Sequence, residues 1–210
     1  MLVLHTTAGW QKQPSGVWTT GGNLMDFFRG PKKLDKKNKD GTHRVWYKGE
    51  EWYNQAALPD ERLEYSGIHV RKAYPHGNGW IKGGYNKLIE GSGKVFVAYP
   101  DEVMTNGINP SPDGKYSNRN TLHINWIGGV VKRHGKIVYA DDRTKAQKNA
   151  MAGLVFEYLA KYPEILVAGH YQLNRKVCPL FNATEWLEEI GVPAERIYRP
   201  DPWGIGKSLK

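Results

Sequence analysis

Two short apolar runs near opposite ends of the chain, residues 2–4 and 165–168, each lead into a histidine, His5 and His170. Short runs of β-type side chains of this kind read as strands. The stretch 144–161, just before the second run, places Ala146, Ala150, Met151, Leu154, Val155, Tyr158 and Leu159 on one stripe at helical spacing. If the helix returns the chain so that the second strand lies parallel to the first, both imidazoles emerge at one carboxyl edge of a sheet, a usual place for a site. Strands and helices are interspersed throughout, so the expected class is α/β, a mixed central β-sheet flanked by helices.

The remaining segments fill in around this frame. Asn23 is placed to cap a short helix over 24–29, with Asp26 in its first turn and Gly30 as terminator. Residues 31–41 (PKKLDKKNKDG) are almost free of apolar side chains and read as a solvated loop. Residues 42–80 carry Trp46, Tyr47, Trp52, Tyr53, Tyr65 and Tyr74 among charges and turns, which reads as a satellite cluster of packed aromatics before it reads as a cleft wall. Residues 85–90 and 94–99 flank a Gly-Ser-Gly turn and predict a β-hairpin. Residues 105–119 predict a long loop, and the alternation of Leu122, Ile124 and Trp126 with His123 and Asn125 predicts a strand. Asn182, Glu185 and Gly191 bracket a last helix, and residues 199–210 form an irregular tail.

Cys178 is the one cysteine, so an intramolecular disulfide is excluded and the thiol is filler, a nucleophile or a metal ligand. It follows His170 by eight positions through a loop, YQLNRKV, that is able to fold back. Two imidazoles and a thiolate make a three-ligand zinc set with the fourth position open to water. That mixed nitrogen and sulfur set suits zinc better than magnesium or calcium. On spacing alone the plainer alternative stays open: a packed cysteine and two strand-end histidines at the surface, since no compact motif such as HExxH is present. His123, on its strand, reads first as a hydrogen-bonded strand residue. His43, His69, His76 and His134 fall in turn-rich stretches and receive no role.

Several motifs, taken in order, resemble one known family. Gly169-His170 followed by Lys176-Val177-Cys178-Pro179-Leu180-Phe181-Asn182 resembles the GH…KxCPxF[DN] signature of the type 2 N-acetylmuramoyl-L-alanine amidases, a family that includes phage lysozyme-like amidases and peptidoglycan recognition proteins. Asp142-Arg143-Thr144 through Gln147 is similar to the family's D-x-R-T-x-x-Q, and Asn120-Thr121-Leu122 through Gly128-Gly129 to its N-S-I-G-I strand. Gly79-Trp80 with Gly84-Tyr85 resembles GW…GYH, and Leu2 through Ala8 the opening I-V-I-H-x-[ST]-A. The resemblance implies zinc on His5, His170 and Cys178, with Tyr85 and Lys176 as the catalytic pair. His123, Asn120 and Trp80 are expected as substrate contacts. It implies a single zinc amidase domain over 1–198 with an insertion at about 11–78, followed by the tail. Departures stand beside the matches: Asn86 follows the tyrosine in place of histidine, Tyr171-Gln172 replaces Arg-Asp, and Asn106-Gly107-Ile108 stands near the position of a G-x-H.

The activity this implies is hydrolysis of the amide between N-acetylmuramic acid and the L-alanine of the stem peptide, in the manner of a bacteriolytic endolysin. The alternative is a non-catalytic peptidoglycan-binding module. The formal charge of +9 favours polyanionic partners without choosing among them. No recognition helix, RNP motif or zinc finger points to specific nucleic-acid binding. No run of 18 apolar residues predicts membrane insertion, and the N-terminus reads as a strand in place of a signal peptide. The expectation is a monomer made in the cytoplasm that acts on bacterial peptidoglycan after release.

Overall fold

In the computed structural model, which describes residues 1–73 and 77–209, the two histidine-bearing runs lie side by side and parallel. Tyr74 and His76 lie outside the described residues. The chain forms two compact units, one of Met1–Thr19 with Gly84–Lys210 and one of Thr20–Gly83. In chain order the elements are β1 (Leu2–Thr6), α1 (Gly21–Arg29), β2 (Lys32–Lys37), β3 (His43–Tyr47), β4 (Glu50–Trp52), α2 (Val70–Ala73), β5 (Lys87–Ile89), β6 (Val95–Val97), β7 (Leu122–Trp126), β8 (Val130–Arg133), β9 (Lys136–Tyr139), α3 (Lys145–Lys161), β10 (Val167–Gly169) and α4 (Ala183–Glu189). Among the described residues no helix is long and apolar enough to cross a membrane.

The first unit is built on a five-stranded sheet of order β10-β1-β7-β5-β6. All its pairings are parallel except that of the β5–β6 hairpin. Every residue of β1 is buried, as expected of a strand covered on both faces. Leu2, Leu4, Ile124 and Trp126 pack against Met151, Leu154, Val155 and Tyr158 of α3 and Trp186 and Leu187 of α4. The alternation that sends these side chains to the helices sends Val3, His5, His123 and Asn125 to the other face. There Val3 packs with Ile108 and Leu173.

The Asp-Arg-Thr-x-x-Gln motif turns out to be a fastening of α3 to the sheet. Thr144 and Gln147 close a reciprocal capping box at the start of the helix. The fully buried Gln147 also donates to Ile89 O and Ile127 O, at 3.0 and 2.9 Å, tying the helix to the ends of two strands. Arg143 pairs with Asp141 and lies over the Phe181 ring at 3.3 Å. Asp142 accepts from Gly129 N at 2.7 Å. The buried stripe of α3 is accordingly Gln147, Met151, Leu154, Val155 and Tyr158, while Ala146 is exposed.

The second unit has a three-stranded antiparallel sheet, β2-β3-β4, over a core of Val45, Tyr47, Leu58, Leu63 and Val70 with Trp52 packed against it. Of the aromatics expected to pack together, Tyr47 is buried and Trp52 half-buried, whereas Tyr53 and Tyr65 are largely exposed. The segment expected as a solvated loop instead contains β2, and the helix expected at 24–29 begins at Gly21, capped by Thr20. The strand escapes pattern reading because it is an edge strand whose lysines face water; pairing with β3, not burial, holds it.

Also unanticipated is the β8–β9 hairpin, whose two-residue turn places His134 and Gly135 at φ 48° and 78°. Ile137 and Tyr139 there are exposed, so no buried alternation marks the ribbon.

Replacing Gln147 by leucine takes the side-chain donor from the buried carbonyl of Ile127 and one of two donors from that of Ile89, which keeps Ile127 N. An unsatisfied buried carbonyl costs about 1–3 kcal/mol, so we expect Gln147→Leu to lower unfolding free energy by about 1–3 kcal/mol in urea titrations. A loss below about 0.5 kcal/mol contradicts the fastening role.

Candidate metal centre

β1 carries His5 one residue before its end, β10 runs through Gly169 directly into His170, and both strands point the same way, so the imidazoles meet. Their ring centroids are 4.6 Å apart. His170 opens a short 3-10 turn, His170–Gln172, and the following loop folds back so that Tyr171 N donates to Cys178 O at 2.8 Å. This brings Cys178 Sγ to 3.7 Å from His5 Nδ1, across 173 positions of sequence. Thr6 N donates to the same sulfur at 3.3 Å. His5, His170 and Cys178 each offer one ligand atom, all within 4.8 Å of one another.

The surroundings leave this trio short of protons on nitrogen and rich in them on sulfur. Burial holds His5 well below the ordinary imidazole range, with His170 and His123 adding to the effect. Burial also lowers His170 to about 4, against the opposing effect of the hydrogen bond that it donates to Asn174, and the Lys176 charge lowers it further. Burial pushes the Cys178 thiol up to about 12, with Thr6 N and Lys176 pulling the other way. A divalent ion would reverse that last preference, since the thiolate is the form that binds metal. His170 Nε2 lies 3.1 Å from Asn174 Oδ1, which also accepts from Asn109 N at 2.9 Å. That oxygen makes Nε2 the protonated nitrogen and leaves Nδ1 of His170 with its lone pair.

Two imidazoles and one thiol converging in this way fit zinc, with three protein ligands and an open position. A further sign is Asn125, in register with His5 and on the same face of the sheet. Both of its side-chain polar atoms are buried and, among the described residues, without a hydrogen-bond partner. An unpaired buried amide costs about 1–3 kcal/mol and is tolerated mainly where function uses it.

The other expected site residues are distributed unevenly. The Tyr85 ring lies 5.1 Å from that of His5, and burial raises its phenol above the ordinary range, so it stays protonated at neutral pH. Lys176 is exposed on the loop between His170 and Cys178, and its charge is felt by both. His123 is fully buried on β7, its Nδ1 3.0 Å from His5 Nε2. Asn120 is not brought to the group: it precedes β7 at the amino end of the parallel strands, where its carbonyl accepts from the Met1 amino group at 2.8 Å. Trp80 belongs to the second unit, where it is stacked on Phe28 at 4.9 Å.

Three contributors went unforeseen. Asn174 supports His170, Thr121 supports His123 at 3.0 Å, and Asn86 Oδ1 accepts from His123 N at 3.0 Å. Asn86 also donates to Pro100 O and Val103 O, which ties down the chain beyond the hairpin. The signal for Thr121 was the i, i+2 spacing from His123, which puts both on one face of an extended chain.

Because the imidazoles are already neutral and the thiol is not ionised, zinc binding at pH 7 should release about one proton, from Cys178. Affinity should then rise about tenfold per pH unit from pH 6 to 8, and Cys178→Ser should weaken binding and flatten that slope. Dissociation constants at three pH values check this. A flat profile in the parent chain removes the thiol from the site.

No family model matches the chain. The endolysin of Escherichia phage T7 is 27% identical over 157 residues, covering 75% of this chain and 93% of that protein. Among solved structures, the Ph2119 endolysin from a Thermus scotoductus bacteriophage aligns with a TM-score of 0.49 at 18% identity, covering 90% of this chain and 83% of that one. The N-acetylmuramoyl-L-alanine amidase LysC from Clostridium intestinale aligns at 0.48 with 13% identity, covering 92% and 85%. The chain is thus similar to a phage endolysin over most of that protein's length, and its motifs follow the order seen in type 2 amidases and peptidoglycan recognition proteins.

Proposed function

We propose that this chain is a zinc-dependent N-acetylmuramoyl-L-alanine amidase that cuts bacterial peptidoglycan between the lactyl group of the glycan and the first residue of the stem peptide. The observation that carries the reading is the convergence of His5, His170 and Cys178 on one point. The relationship to a phage endolysin supports the cell wall as the place of action. The family resemblance supplies the particular bond.

His5, His170 and Cys178 would hold the metal. Bound there, zinc supplies a Lewis acid for the amide carbonyl and lowers the pKa of a coordinated water. The chain's own groups do the rest. Lys176 brings a cation to the rim of the site, where it stabilises the negative charge that develops on the carbonyl oxygen. Tyr85 keeps its proton beside His5 and donates a hydrogen bond to the reacting carbonyl or to the attacking water. The positive charge of the chain helps it stay on an anionic wall.

Digestion of purified peptidoglycan, followed by mass spectrometry of the products, tests the bond. Stem peptides with a free L-alanine amine and glycan free of peptide are expected, and a chelator should abolish both. Walls that are bound but never cut with zinc present identify a binding module instead. Lys176→Ala should keep its zinc and lose about 100-fold or more in turnover. Full turnover in that variant removes Lys176 from the mechanism.

A further inference from the structure

A hydrogen-bond chain behind His5 has a direction that can be read from one end. The Thr121 hydroxyl donates to Ser117 O at 2.8 Å. A hydroxyl has a single proton, so toward His123 Nε2, 3.0 Å away, Thr121 Oγ1 can only accept. His123 therefore carries a proton on Nε2. A neutral imidazole has one N–H, which leaves His123 Nδ1 bare. Facing it at 3.0 Å is His5 Nε2, which must be the donor. His5 is then bare at Nδ1, the nitrogen 3.7 Å from Cys178 Sγ.

We propose that Ser117, Thr121 and His123 form a positioning relay that locks His5 in the one tautomer able to ligate a metal through Nδ1. His123 and Thr121 are thus positioning residues, in place of the substrate contact expected of His123. The relay is built into the packing. His123 and Asn125 are fully buried, and Thr121 nearly so. The backbone of His123 is held by Asn86, and Gly107 lies so close to its ring that a methyl group there would overlap the imidazole. Thr121, immediately before β7, and His123 on it are two positions apart, a spacing that turns both to one face of extended chain. Without the relay, His5 could hold its proton on Nδ1, and that form cannot bind an ion until the ring is rearranged. Partners of this kind typically change metal affinity by about 10–100-fold when removed.

The affinity arm of the test rests on the zinc reading, whereas the tautomer arm does not. Long-range proton–nitrogen NMR spectra of the metal-free, histidine-labelled chain at pH 7 should show His5 and His123 protonated at Nε2 and bare at Nδ1. A proton on His5 Nδ1 overturns the relay. Thr121→Val keeps the shape but removes the acceptor. It should populate the second tautomer of His5 and weaken zinc binding about 10–100-fold in competition with a chromophoric chelator. Thr121→Ser should restore both. A Val variant that matches the parent in tautomer overturns the proposal. If the parent itself takes up no zinc, the metal reading falls, and the spectra of the Val and Ser variants still decide the relay.

Discussion

Everything in the site depends on the parallel pairing of β1 with β10 on one side and β7 on the other. The register Leu2↔Val167 through Leu4↔Gly169 sets the end of each histidine-bearing strand at the same level. The register Val3↔His123 and His5↔Asn125 then sets what stands beside the first imidazole. Because side chains alternate, a slip of one residue would send His5 to the face packed against α3 and bring Leu4 in its place. The apolar contacts of Leu2, Leu4, Ile124 and Trp126 with α3 and α4 oppose that slip, so the hydrophobic core and the polar site enforce each other.

Burial then sets the chemistry of the groups that the register brings together. Three imidazoles and a thiol in one dry place cannot all be charged, and the neutral forms prevail. Neutral imidazoles are what a metal needs, provided the lone pair points inward. In this account that direction comes from the far side of each ring, from Asn174 behind His170 and from His123 and Thr121 behind His5. In the proposed reading, the protonated phenol of Tyr85 and the exposed charge of Lys176 would add hydrogen-bond donors for a reacting carbonyl beside the candidate ligands.

Much of this was legible in the chain as written, and the limits have physical causes. Strands 2–4 and 165–168 and the helix before the second stand out because burial leaves a periodic trace. The three candidate ligands were legible through the family motifs, since spacing alone left a packed cysteine and two surface histidines open. Ala146 and Gln147 show the limit of periodicity: hydrophobicity favours the alanine, yet the glutamine is buried because its amide satisfies two strand-end carbonyls. Strand β2 and the β8–β9 ribbon left no trace, since backbone pairing holds them and water covers their side chains. The tasks of Asn174 and Asn86 depend on contacts that no local pattern encodes, whereas Thr121 is marked only by its i, i+2 spacing from His123. Asn120 matched a motif but stands at the opposite edge of the sheet, which a motif match cannot foresee.

The central claim is that two strand ends and one late loop supply a single set of ligands. Zinc-edge X-ray absorption of the loaded protein reads that set directly. The account predicts one sulfur at about 2.3 Å and two imidazole nitrogens at about 2.0–2.1 Å. A spectrum with no sulfur neighbour, or with only one imidazole, would contradict it.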